Sequence, residues 1–238
     1  MHEVTIPETI RQRIAARRGR FEIFDRLDPA RTALLVIDMQ KAFVDPGAPV
    51  EVPLARAIIP NVNRLARAAR SGRVPVFWVA MTAWEKNGVT SWPVFYDHFA
   101  SPEFGERHLA ALTSGSPLHA FADGLDIAPG ETAVEKLRFS AFIQGSSDLD
   151  AMLRARGIDT IVIAGTLTNR CCESSARDAM MIGYKVLLVE DANAALSDAE
   201  HVAALVNVAT AFGDVRRTDE VIGMFETGDG DASAVKTG

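Results

Sequence analysis

At 238 residues and 48% hydrophobic, the chain can bury one full core, so a single domain is expected. Its 25 Lys and Arg against 31 Asp and Glu leave a net charge of −6, and no stripe gathers the positive charges, which argues against a nucleic-acid partner. No apolar run approaches the roughly 20 residues needed to span a bilayer, so no membrane partner is expected either.

The N-terminus, MHEVTIPETIRQRIAARRGR, is amphipathic and lacks the apolar centre of a signal peptide. The two cysteines, Cys171 and Cys172, are neighbours, and a disulfide between adjacent residues closes a strained ring. Two free thiols and no leader point to the cytoplasm. The pair is too small for a thiolate metal site, and neither metal nor cofactor is expected.

In chain order, Thr5 with Glu8 three residues on resembles a capping box, and Pro7 suits a first helical turn. A helical arm over about residues 1–20 follows, stopped by Gly19 and expected to pack on the outside or on another subunit. Thr32 to Ile37 (TALLVI) reads as a buried strand with Asp38 at its carboxyl end. A proline-rich loop leads to a helix from about Pro60 to Arg70, then a second strand, Val74 to Val79. Met81 to Leu118 shows no clear periodicity but is rich in aromatics, among them Trp84, Trp92, Phe95, Tyr96 and Phe104. Such a stretch in a compact domain predicts a lid or an inter-subunit contact.

A third strand, Glu131 to Glu135, carries Lys136 at its end. Ser146 or Ser147 caps a helix to about Arg156, and the fourth strand, Thr160 to Ala164, hands over at Gly165 to a turn and a helix containing Cys171. At a helix N-terminus the free N–H groups and the dipole lower a thiol's pKa. A fifth strand (Tyr184 to Val189), a helix (Asp198 to Phe212), a short sixth strand near Val215 and a helical turn (Glu220 to Phe225) complete a domain over residues 1–225. The remainder, 226–238, predicts a disordered tail.

Strands alternating with helices imply an α/β fold, a parallel sheet of about six strands in a three-layer, Rossmann-like arrangement, with ligands beyond the carboxyl ends of the strands. Asp38, Lys136 and Cys171 all fall on that edge. A thiolate attacks a carbonyl carbon when a base takes its proton and donors hold the oxyanion. Asp38 suits the base, Lys136 the tuning cation, and the backbone N–H groups of Leu167 and Cys171 the oxyanion donors. The histidines, His2, His98, His108, His119 and His201, fall on the arm, the lid or helix surfaces and offer no Cys–His pair.

Three segments, VIDMQKAF (Val36 to Phe43), EKLRFSAF (Glu135 to Phe142) and AGTLTNRCCESSARDA (Ala164 to Ala179), resemble the signatures of the isochorismatase-like cysteine hydrolases, a likeness running from about Arg31 to Met224. The resemblance implies an Asp–Lys–Cys triad of Asp38, Lys136 and Cys171, with Cys172 as packing, and a cis peptide at Thr166–Leu167. It also implies amide hydrolysis through a thioester, releasing ammonia or an amine from a small amide, carbamoyl or ureido compound, and a homodimer or homotetramer. The histidine cluster with which nicotinamidases of that superfamily bind metal has no match in Ala80 to Gly88. Vinyl-ether hydrolysis of the isochorismatase type, with Asp38 as acid, is the alternative, and a binding protein without chemistry a third reading. Gln40, Trp78, Trp84 and Trp92 are candidate substrate contacts, and Asn169 is expected to cap the turn.

Overall fold

The computed structural model of the chain describes residue 2 and residues 4–227. Apolar runs long enough for a strand and apolar on both faces can only sit between two layers of helix. Here they form a six-stranded, all-parallel sheet. After α1 (Glu8–Arg18) come β1 (Thr32–Ile37), the short α2 (Lys41–Val44), α3 (Ala55–Ser71) and β2 (Val76–Met81). A two-stranded ribbon, β3 (Glu85–Lys86) with β4 (Val89–Thr90), and helices α4 (Pro93–His98) and α5 (Pro102–Leu112) lead to β5 (Thr132–Lys136). The second half runs α6 (Leu149–Ala155), β6 (Thr160–Thr166), α7 (Glu173–Met181), β7 (Lys185–Ala194), α8 (Asp198–Asn207), β8 (Asp214–Arg216) and α9 (Thr218–Thr227).

Strand order is β5-β2-β1-β6-β7-β8. The chain winds outward from β1 in one direction, returns to β6 on its other side, and winds outward again. β1 and β6 are therefore the switch point, paired from Thr32 with Thr160 to Ile37 with Gly165, and a crevice opens above their carboxyl ends. Alternate residues feed two cores. Leu34, Val36, Trp78, Val162 and Leu187 meet Ile58, Val62 and Leu65 of α3 on one face. Leu35, Ile37, Phe77, Val79, Ile161 and Ile163 meet Leu149, Leu153, Ala176 and Leu205 on the other.

Several boundaries depart from the sequence reading. α3 starts five residues before Pro60 and carries that proline inside. Its buried positions, Ala55, Ile58, Val62, Leu65, Ala66 and Ala69, keep helical spacing, so packing overrides the breaker. β7 runs on to Ala194, because Asn193 bridges a register shift by donating to Ile163 O (3.0 Å) and Val189 O (2.7 Å). The stretch read as lacking periodicity holds the β3–β4 ribbon and α4, both too short for a period to emerge, and α5, whose helical spacing went unread. The N-terminal arm packs on its own domain, with Ile6 and Ile14 buried in the second core. α9 continues through Thr227; the rest of the expected tail lies outside the described residues. No helix among the described residues is long and apolar enough to cross a membrane.

Candidate active site

Asp38 follows β1 with φ of 53°, a left-handed conformation that aspartate tolerates better than most residues. Its N–H stays in the sheet, donating to Val79 O at 2.8 Å, while the side chain turns into the crevice. Lys136, the last residue of β5, reaches across β2 and donates from Nζ to Asp38 Oδ2 at 2.8 Å and to Arg138 O at 3.1 Å. Both side chains are wholly buried. Taking two ions out of water costs more than their attraction returns unless each is well satisfied, and Asp38 Oδ1 has no hydrogen-bond partner.

Cys171 sits in a wide π-type turn, Thr168–Cys172, between β6 and α7, in which Arg170 N–H and Cys172 N–H both donate to Leu167 O at 3.1 Å. The Leu167 N–H donates to no described residue, and the Thr166–Leu167 peptide is cis. Gly165 lies against β1 so closely that an added Cβ would fall 2.0 Å from Ile37 O. Thr166 Oγ1 bonded to Ala194 O (3.2 Å) and Thr168 Oγ1 paired with His201 Nδ1 (2.8 Å) hold the turn to its neighbours. Asn169 does not cap it: the side chain donates to Glu200 Oε1 of α8 at 3.3 Å, and α7 needs no cap because the π turn leads into it without a break.

The thiol adjoins both ionic partners, since the titrations of Asp38, Lys136 and Cys171 each respond to the other two. The thiol lies close enough to the Asp38 carboxyl for hydrogen bonding to influence both groups, although Asp38 Oδ1 has no partner at full hydrogen-bond geometry. Burial pushes the Asp38 carboxyl up, with Lys136 opposing, while Asp38 keeps Lys136 protonated against its own burial. Burial first, then Asp38, push the Cys171 thiol up to about 12 despite Lys136. A thiolate at rest, expected from the helix N-terminus, is therefore not what this environment favours. Desolvation outweighs the dipole.

Cys171 lines a cavity of about 310 Å³ walled by Phe43, Val50, Met81, Phe95, Phe139 and Leu167, with His108, Glu51 and Arg170 as polar members. The sequence reading placed His108 in the lid stretch, Met81 to Leu118, and gave it no part in the site. It is buried on the inner face of α5, its Nδ1 2.8 Å from the Tyr96 hydroxyl, and burial lowers its pKa to about 4, so it stays neutral. The i, i+3, i+6, i+7 spacing of Gly105, His108, Ala111 and Leu112 was the available signal.

Three of the four expected substrate contacts lie elsewhere. Gln40 is fully buried, and its amide bonds Met81 O (3.1 Å), His119 O (2.8 Å) and Met81 N–H (2.8 Å), bracing the ends of β1 and β2. Trp78 points into the α3 core, donating to Glu131 Oε2 at 2.8 Å. Trp84 faces a separate depression beside Glu135 and Ser146. Trp92 lines an outer cavity that shares Phe95, Phe104, Phe139 and Arg170 with the inner one. Cys172 is buried in the second core. Among the described residues no group of three or more His, Cys, Asp or Glu is placed to hold a metal.

The family pattern described as Isochorismatase domain matches residues 32–220. This chain belongs to the isochorismatase family. It is 33% identical to a ureidoacrylate amidohydrolase RutB of Methylobacterium radiotolerans, over 83% of this chain and 82% of the relative. A second protein of that name, from Pseudomonas savastanoi pv. phaseolicola, is 32% identical over 84% and 86%. Among solved structures, a cysteine hydrolase from Pseudomonas syringae pv. phaseolicola superposes with a TM-score of 0.78 at 32% identity, covering 87% of this chain and 97% of that one. With amidohydrolases and a cysteine hydrolase as relatives, this family member is a hydrolase.

Proposed function

We propose that this protein is a cytoplasmic, cysteine-dependent amidohydrolase that cleaves a C–N bond of a small amide, carbamoyl or ureido compound. One observation carries the reading: a fully buried Lys136–Asp38 pair leaves one carboxylate oxygen unpartnered beside a thiol that lines a cavity. A buried lone pair without a donor is costly, and the thiol proton is the donor at hand. The names of the relatives favour amide over vinyl-ether hydrolysis.

Cys171 Sγ attacks the carbonyl carbon as its proton passes to Asp38, so no standing thiolate is needed. Lys136 offsets the negative charge that moves between sulfur and carboxylate. The Leu167 and Cys171 N–H groups stabilise the oxyanion. As the intermediate collapses, the C–N bond breaks, Asp38 returns the proton to the leaving nitrogen, and a thioester remains. Water then attacks, Asp38 takes its proton, and Sγ leaves with that proton restored.

Ammonia release measured over a panel of small amides and ureido acids tests this. Cys171→Ala should abolish turnover and remove the acyl adduct from the mass spectrum, while Cys172→Ala keeps most of the activity. Full activity in Cys171→Ala would refute the assignment.

A further inference from the structure

We propose that Arg170 anchors a carboxylate of the substrate, and that the site takes ureido or carboxamide compounds with a carboxylate next to a bulky apolar group. This rests on the amidohydrolase reading. Arg170 precedes the nucleophile directly and is exposed, and its guanidinium makes no hydrogen bond, ion pair or ring contact with any described residue. Some surface arginines are paired, as Arg31 with Asp159 and Arg217 with Glu190. Arg13, Arg73 and Arg107 are not paired with any described residue, but none of those three lines either cavity, as Arg170 does. An idle guanidinium on a cavity wall is a ready partner for a planar anion, which it grips through two parallel N–H bonds.

The other charges of the cavity are balanced. Glu51 pairs with Arg56 at 2.8 Å and accepts the Gly47 N–H at 2.7 Å. Asp38 and Lys136 neutralise each other, and His108 is uncharged at neutral pH. Among the described residues lining the two cavities, the guanidinium alone is unbalanced, so the site as a whole is positive and favours an anion.

Position adds the rest. Consecutive Cα atoms are about 3.8 Å apart, so an anion held by Arg170 lies within a small molecule's length of Cys171 Sγ. Arg170 also lines the outer cavity, about 620 Å³, whose other walls include Trp92, Val94, Phe99 and Phe104. An α-amino acid carbamoylated on nitrogen fits this layout. Its ureido carbon meets Cys171, its carboxylate meets Arg170, and an apolar side chain enters the outer cavity. Hydrolysis uses water alone and yields the free amino acid, carbon dioxide and ammonia, so ammonia reports turnover.

The test compares N-carbamoylphenylalanine with N-carbamoylglycine and with phenethylurea, the same body without a carboxylate. The wild-type protein should prefer the first over both others by about tenfold or more in kcat/KM. Arg170→Gln should lose about 10- to 100-fold of kcat/KM on N-carbamoylphenylalanine, mostly through KM, and keep its rate on phenethylurea. Arg170→Lys should recover part of the loss. Equal losses on charged and neutral substrates, or none on either, overturn the assignment, as does an absent preference for the carboxylate or the apolar body. Ammonia release from neutral amides without that preference sinks this inference alone; no release from any amide sinks the amidohydrolase reading as well.

Discussion

Removing one half of the Lys136–Asp38 pair strands the other half in a dry site. Asp38→Asn or Lys136→Met should therefore lower stability by about 3–5 kcal/mol as well as abolish activity. A double variant, Asp38→Leu with Lys136→Met, leaves no buried charge and should be more stable than either single one, though inactive. Urea unfolding of the four proteins checks this, and a double variant weaker than both singles contradicts it. The thiol offers a second measurement. With its pKa near 12, Cys171 alkylation by iodoacetamide should rise about tenfold per pH unit between 7.5 and 9.5. A rate already level across that range means a standing thiolate and a different role for Asp38.

The strand ends show how much of the site was legible in the sequence. β1 begins and ends where its apolar run does and β6 lies within two residues of the expected limits, because strands buried on both faces carry an unbroken signal. β5, an edge strand with one face exposed, lies within one residue of its expected limits. Asp38 and Lys136 could be read from those ends, and Cys171 from the turn after β6. Trp78 was misread because nothing in a doubly buried strand says which face a residue takes, and Gln40, beyond the end of β1, because its partners are far away in the chain. Trp78 falls on the α3 side, and Gln40 is consumed by backbone groups of segments distant in sequence. His108 escaped because α5 lies in the aromatic stretch, where its buried face of Gly105, His108, Ala111 and Leu112 holds few large apolar residues. At this scale Gly165 makes a sharp test. Its φ of +126° and the 2.0 Å approach to Ile37 O leave no room for a methyl group at the β1–β6 edge. Gly165→Ala should cost about 3 kcal/mol or more, whereas Gly145→Ala, at φ of +76° with nothing within 4 Å, should cost about 1 kcal/mol. Equal denaturation midpoints for the two variants contradict that account.

Across the whole molecule, two buried imidazoles fix how the fold answers acid. His201 on α8 is 1% exposed, stacked on His2 of the arm at 4.1 Å and paired with Thr168 of the turn that carries Cys171. Burial first, then His2, lower its pKa to about 3, and burial lowers that of His108 to about 4. In the unfolded chain both titrate near the ordinary value of 6.5, so the unfolded state binds protons in acid that the folded state refuses. Their contribution is fully present above pH 6.5 and drains away as the pH falls toward 4. The paired carboxylates of Glu51, Asp126, Glu131 and Asp159, all held below their ordinary values, add losses in the same direction lower down. Asp38 and Glu190, both raised by burial, work against the trend, two groups against the four lowered carboxylates and the two imidazoles. Urea midpoints should therefore fall from pH 7 to pH 4.5, and His201→Gln, which has no proton to accept, should flatten that slope while leaving the Cys171 cavity formed. A midpoint that holds steady or climbs over this interval, or an unchanged slope in the variant, would mean the imidazoles are not the acid-labile element of the fold.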